Sequence, residues 1–303
     1  MSAPIFSRFL AAVLIVCSGL WRLTSAHSHI NYLIINGELF PGFNPKITTN
    51  PANTIGWFTT AADDGFVPPS NYSTADIICH RDGAPPKAHA PVKAGDKIHL
   101  QWNGWPKSHQ GPVMSYLASC AGQLSGCATV NKNNLTFFKI DNSAPTFLNE
   151  SGGPPGYWAT DVLIASNNSW LIEIPPGIEP GPYVLRHEII ALHYAARPDG
   201  AQNYPQCFNL WVTGNDTAHA PAITEGVGEG QGTKPTSFYK AADPGISINI
   251  SSSLITYQIP GPTVVSGAVP VPIKSQTMSL SRTTGIPVLV TGSSTVPFPA
   301  ATS

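Results

Sequence analysis

Charge is what this sequence has least of. Charged residues fill only 11% of its 303 positions, with 16 basic side chains against 17 acidic ones. So sparse and balanced a charge offers no basic stripe to a phosphate backbone, and a nucleic-acid partner is excluded. The few carboxylates form no obvious pair for two-carboxylate hydrolysis. Helical patterning is missing as well: no long segment repeats apolar residues at the spacing of an amphipathic helix. No internal repeat is visible. No apolar run reaches the roughly 20 residues of a membrane span, so no membrane-embedded segment is expected.

What is plentiful is Gly and Pro, 27 and 30 residues respectively. They punctuate short apolar stretches that read as strands: Ile30–Ile35, Lys97–Trp102, Val113–Leu117, Leu135–Ile140, Ser169–Ile174, Gly181–Ala191, Cys207–Val212 and Ile246–Ile250. Many short strands so bounded predict an all-β sandwich with long loops. The segment from Asn36 to Asp76 is long for a loop in a compact domain, which points to a ligand-facing role.

Residues 1–26 read as a secretory signal, with Arg8 as the positive head and Phe9–Leu20 as the apolar run. Thr24 and Ala26 supply the small residues of a cleavage site. Cleavage after Ala26 puts His27 at the start of a secreted, extracellular chain. Cys17 leaves with the signal, and four cysteines remain for an oxidising route. They allow three pairings. The short separation of Cys120 and Cys127 across a Gly-containing loop favours Cys120–Cys127 with Cys79–Cys207. Sequons at Asn71, Asn134, Asn149, Asn167 and Asn215 are candidate glycan sites; a sixth, Asn249, sits inside an apolar run and is the least convincing.

A histidine directly behind a cleavage site offers two nitrogens from one residue, the α-amine and imidazole Nδ1. The amine has a pKa of about 8, so a metal displaces its proton easily. A second imidazole would complete a planar three-nitrogen set, which suits Cu(II). His109, in S-H-Q-G-P-V ahead of the Gly111-Pro112 turn, is the candidate. His29 offers a rival arrangement. An amine and a third-residue imidazole can chelate copper through deprotonated backbone amides, but the strand beginning at Ile30 favours a structural His29. In G-A-Q-N-Y-P-Q-C, strand alternation puts Gln202 and Tyr204 on one face.

Taken in order, H-S-H-I, S-H-Q-G-P-V, R-H-E-I-I-A-L-H, G-A-Q-N-Y-P-Q-C and D-P-G-I resemble the fungal lytic polysaccharide monooxygenases of auxiliary activity family nine. The resemblance covers residues 27–264. It implies an immunoglobulin-like or fibronectin-III-like antiparallel β-sandwich holding one copper, with His27, His109 and an axial Tyr204 as ligands. His193 and Gln202 fall at positions that orient oxygen species, and His187 is structural. The same disulfide pairs are implied. The implied reaction is oxidative cleavage of β-1,4-glucan, such as cellulose, at C1 or C4, with an external electron donor and O2 or H2O2. A monomer is expected.

One departure concerns the substrate face. Many relatives carry a tyrosine after the N-I of the last core strand, where Ser251 follows Asn249-Ile250 here. Trp57, Tyr72 and Tyr257 are the candidates to replace that stacking platform. Two other functions compete with the oxidative enzyme: copper capture without catalysis, and a carbohydrate-binding module. Capture needs no Gln202, His193 or Tyr204, and a binding module leaves the histidines unexplained. Residues 265–303, rich in Ser, Thr, Pro and Val, read as a disordered tail.

Overall fold

The computed structural model describes residues 28–120, 125–142, 147–148, 154–214, 232–276 and 282–290. The expected signal, His27, Asn149 and Asn215 lie outside them. Along the chain run β1 (Ile30–Ile35), β2 (Glu38–Pro41), α1 (Asp76–Cys79), β3 (Ala88–Lys93), β4 (Lys97–Trp102), β5 (Val113–Ser119) and β6 (Phe138–Asp141). Then come β7 (Phe147–Leu148), β8 (Tyr157–Trp158), α2 (Ala159–Ala165), β9 (Ser169–Glu173), β10 (Gly181–Ala191), β11 (Gln202–Thr213), β12 (Thr283–Thr284) and β13 (Val288–Leu289). Asn36 and Gly37 take φ of 50° and 81° and join β1 to β2 with Ile35 opposite Glu38. An Asn-Gly pair accepts such a hairpin turn readily.

Two sheets form the sandwich, ordered β12-β2-β1-β4-β9 and β13-β3-β11-β10-β5-β6. Pairing is antiparallel apart from β3 with β11 and β2 with β12. Between the sheets lie Leu33, Leu100, Trp102, Trp170, Leu185, Ile189 and Leu210, all buried. The second sheet is covered on its other face too. Met114, Tyr116, Val184 and Ile190 pack there under the loops that carry Trp57, Tyr72 and Phe238. For this reason β10 is buried almost continuously rather than at every second residue. Both favoured disulfides are present, Cys79–Cys207 and Cys120–Cys127.

The sequence expectations fail in three places. Ile246–Ile250 is not a strand; Ile246 and Ser247 donate their N–H groups back to Asp243 O in a turn. The Asn36–Asp76 segment is not a free loop, because β2 and the outer layer of the core occupy it. The tail is not disordered over its described length. Val265 N donates to Lys139 O on β6, and the Gln276 amide brackets the N–H and C=O of Leu171 on β9. Thr283–Thr284 then joins β2, and Val288–Leu289 joins β3. One C-terminal segment thus caps all four strands that would otherwise be sheet edges, covering backbone groups that invite association.

Candidate metal centre

The loop from Asn103 to Pro112 follows β4 and is pressed against the end of β10. Leu192 N donates to Gln110 O at 2.8 Å, and Ile190 N to Pro112 O at 3.3 Å. Gly111 permits this approach: a Cβ there would lie 1.8 Å from Ile190 O. The pairing sets His109 beside His193, their ring centroids 3.9 Å apart and their planes 30° from parallel. Ser108 Oγ lies 3.0 Å from His109 Nδ1, and Trp105 Nε1 donates to His109 O at 2.8 Å.

Trp105 links this pair to β11. Its ring stands edge-on to His109 at 6.1 Å and to Tyr204 at 5.1 Å. The alternation expected for β11 holds: Tyr204 OH donates to Gln202 Oε1 at 2.9 Å. Burial pushes the Tyr204 phenol well above its ordinary pKa, so it remains protonated. His109, His193, Gln202 and Tyr204 therefore gather at one end of the sandwich. His187 sits apart in the inter-sheet core, 2.9 Å from Ser115 Oγ and against Trp102.

The chain enters this end through Ser28 and His29. Asn103 Oδ1 accepts from Ser28 Oγ and from His29 N, and Asn103 N donates to His29 O at 3.0 Å. His29 Nδ1 donates to Asp64 Oδ1 at 2.7 Å, while Lys46 Nζ sits 2.6 Å from Asp64 Oδ2. Burial opposes ionisation of Asp64, yet hydrogen bonds from His29 and Lys46 outweigh it and hold the carboxyl below its usual range. Among the described residues no three His, Cys, Asp or Glu side chains gather to hold a metal. His27 lies outside that set.

The proposed stacking platform is corrected. Trp57 and Tyr72 are buried, donating to Asn209 Oδ1 at 2.8 Å and Asn203 Oδ1 at 2.7 Å. Tyr257 packs edge-on against Trp158 and donates to Gly245 O at 2.8 Å. All three belong to the layer covering the second sheet, and Trp57 and Tyr72 offer no face to a polysaccharide. Sequence reasoning missed Tyr194, 48% exposed, whose ring lies 4.3 Å from that of His193. Its position directly after the last histidine of the R-H-E-I-I-A-L-H stretch was the available signal. Of the sequons, Asn134 and Asn167 are exposed and Asn71 is half-buried; Asn249 is exposed as well.

Residues 27–257 match the model of Auxiliary Activity family 9 (formerly GH61). The AA9 family lytic polysaccharide monooxygenase A of Talaromyces verruculosus is 49% identical over 262 residues, 86% of this chain and 74% of that protein. The extended catalytic domain of H. jecorina LPMO9A superposes with a TM-score of 0.74 at 45% identity, covering 88% of this chain and all of that one. A structure titled as a cellulose-active polysaccharide monooxygenase from M. thermophila gives 0.63 at 31% identity, covering 80% of this chain and all of that one. With the family model covering β1 to β11 and every cluster residue inside it, the chain belongs to Auxiliary Activity family 9 and is a copper-dependent oxidoreductase of the lytic polysaccharide monooxygenase class.

Proposed function

We propose that His27, His109 and Tyr204 hold one copper and that the protein oxidises cellulose at C1 or C4. The observation that carries this reading is the convergence of His109, His193, Gln202 and Tyr204 where the chain enters from residue 28. The donor chemistry fits copper. A ligating imidazole usually engages its other nitrogen with the protein. Ser108 Oγ, 3.0 Å from Nδ1 of His109, supports a reading in which the protein engages that atom and Nε2 would serve the metal. A buried, protonated phenol such as Tyr204 would be a weak ligand, adding little charge to the copper it helps to hold. His27 adds the amine and a second imidazole.

Bound there, copper supplies one-electron activation of O2 or H2O2, drawing on an external reductant. The protein's own groups do the rest. Gln202 fixes the Tyr204 hydroxyl and presents an amide to the same end of the sandwich. His193, its ring centroid 3.9 Å from that of His109, would offer a hydrogen-bonding imidazole beside a copper held there. Tyr194, half exposed beside His193 and with the Arg197 guanidinium over its ring, would offer a sugar the part of its aromatic surface left open. The cellulose assignment is supported by the M. thermophila relative. Secretion follows from the leader sequence, and no helix among the described residues is long and apolar enough to cross a membrane.

The test uses secreted protein beginning at His27, loaded with copper and given a reductant on cellulose. Oxidised oligosaccharides in the mass spectrum that vanish on copper removal support the assignment and reveal C1 or C4 preference. Tight copper binding without oxidised products would point to another polysaccharide or to copper capture. Gln202→Ala is expected to keep copper and lose oxidative turnover; unchanged product yield would remove Gln202 from the mechanism.

A further inference from the structure

The order H-S-H creates a hazard that the fold must answer. A free amine, the next two backbone amides and a third-residue imidazole form a planar four-nitrogen chelate for Cu(II). In such a chelate the third residue contributes its amide nitrogen and Nδ1. Here those atoms belong to His29. Planar nitrogen donors favour Cu(II), so an unrestrained terminus would have two ways to hold the same ion. One uses His109, and the other uses only residues 27–29.

Both contested atoms of His29 are engaged. Its amide N–H donates to Asn103 Oδ1 at 3.1 Å, and its Nδ1 donates to Asp64 Oδ1 at 2.7 Å. Asn103 also holds the His29 carbonyl through its own N–H and receives the Ser28 hydroxyl. The side chains of His29 and Asp64 are buried, and Lys46 pairs with the second Asp64 oxygen. The His29 backbone must also stay extended, because Ile30 pairs with Trp102 in the next position. A four-nitrogen chelate would have to take the proton from a hydrogen-bonded amide, break the buried His29–Asp64 hydrogen bond and turn the imidazole out of the protein.

We propose that Asp64 and Asn103 are positioning residues that block self-chelation by the amino terminus and so reserve its amine and first imidazole for a copper site completed by His109. The role rests on the copper reading above. Asn103 lies six positions before His109, so one loop both fastens the terminus and carries the second imidazole. The two residues act on which nitrogens copper finds, and neither touches the metal.

The experiment is Cu(II) electron paramagnetic resonance and visible absorption on secreted protein starting at His27, with the Asp64→Ala/Asn103→Ala double variant alongside. Melting of the copper-free proteins checks folding. Wild type is expected to show a three-nitrogen spectrum, lost in His109→Ala. The double variant is expected to show a second species, with four nitrogen couplings and a visible band at shorter wavelength. That species should survive addition of His109→Ala and disappear on addition of His29→Gln. Asp64→Asn, which keeps an acceptor for His29, is expected to retain the wild-type spectrum. A double variant with the wild-type spectrum overturns the proposal while leaving the copper reading intact. A wild type that binds no copper, or that already shows the four-nitrogen species, overturns the copper reading itself.

Discussion

Replacing Glu188 with glutamine removes one charge from the centre of the layer behind β10 and leaves shape almost unchanged. Glu188 is fully buried and accepts Arg186 Nη1 at 2.7 Å, Arg186 Nη2 at 2.9 Å, Asn203 Nδ2 at 2.8 Å and the Tyr239 hydroxyl. All of these partners donate. An amide puts an NH2 where one carboxylate oxygen stood, so a donor meets a donor. Arg186 cannot discharge, and what remains to its guanidinium is the carbonyls of Ile77 and Ile78, at 2.8 Å each, and the faces of Tyr116 and Phe238. Lys139 loses a nearby countercharge as well. A charge-assisted hydrogen bond is worth about 1.5–3 kcal/mol, and a buried ion left without its partner brings the total to about 3–5 kcal/mol. At roughly 2–4 °C per kcal/mol for a domain of this size, melting should fall by about 10 °C. Urea unfolding of the copper-free protein measures the loss. Adding Arg186→Met should recover part of it, since the guanidinium charge is then no longer left unpaired. A loss below about 1 kcal/mol would refute the claim that this carboxylate is the countercharge of the layer.

Three further outcomes are expected. Burial pushes His187 down to about 3 and His80 and His89 down to about 4. The unfolded chain therefore binds more protons below about 6.5, and stability must rise with pH from 5 to 6.5 and be lost on acidification. A flat urea midpoint over that window would contradict neutral buried imidazoles. Gly111→Ala forces a Cβ against Ile190 O and should cost on the order of 2 kcal/mol, with weaker copper binding because the His109 loop is lifted; calorimetric copper titration checks it, and unchanged affinity counts against the close approach. Truncation after Val264 uncovers β2, β3, β6 and β9 and removes the buried Val271 and Val290. Light scattering should show self-association, and melting should correspond to about 2 kcal/mol lost; a monodisperse product of unchanged stability would show the segment to be dispensable.

Much of the site was legible in the chain because its signals are local. A histidine before Gly-Pro, and Gln202 two places from Tyr204 on a strand, each declare their geometry within a few residues. The short separation of Cys120 and Cys127 worked the same way, as did most strands with turn residues at both ends. Asn36-Gly37 was an equally local hairpin signal that went unused.

Tertiary structure decided what depends on a second partner far along the chain. Trp57, Tyr72 and Tyr257 look like a sugar platform until the second sheet is found to need cover on its outer face, which buries the first two and packs the third. The Ser/Thr/Pro/Val segment reads as disordered by composition, yet four strands with unsatisfied backbone groups give its own N–H and C=O groups partners that composition cannot reveal. His29 could have been ligand or scaffold on sequence alone. Asp64, 35 positions away, and Asn103, 74 positions away, settle its hydrogen bonds. The sequence by itself determined which atoms are able to bind a metal, since donor chemistry belongs to the residue. Which atoms are held by other groups only the fold decided, because hydrogen bonds and burial are set by neighbours in space.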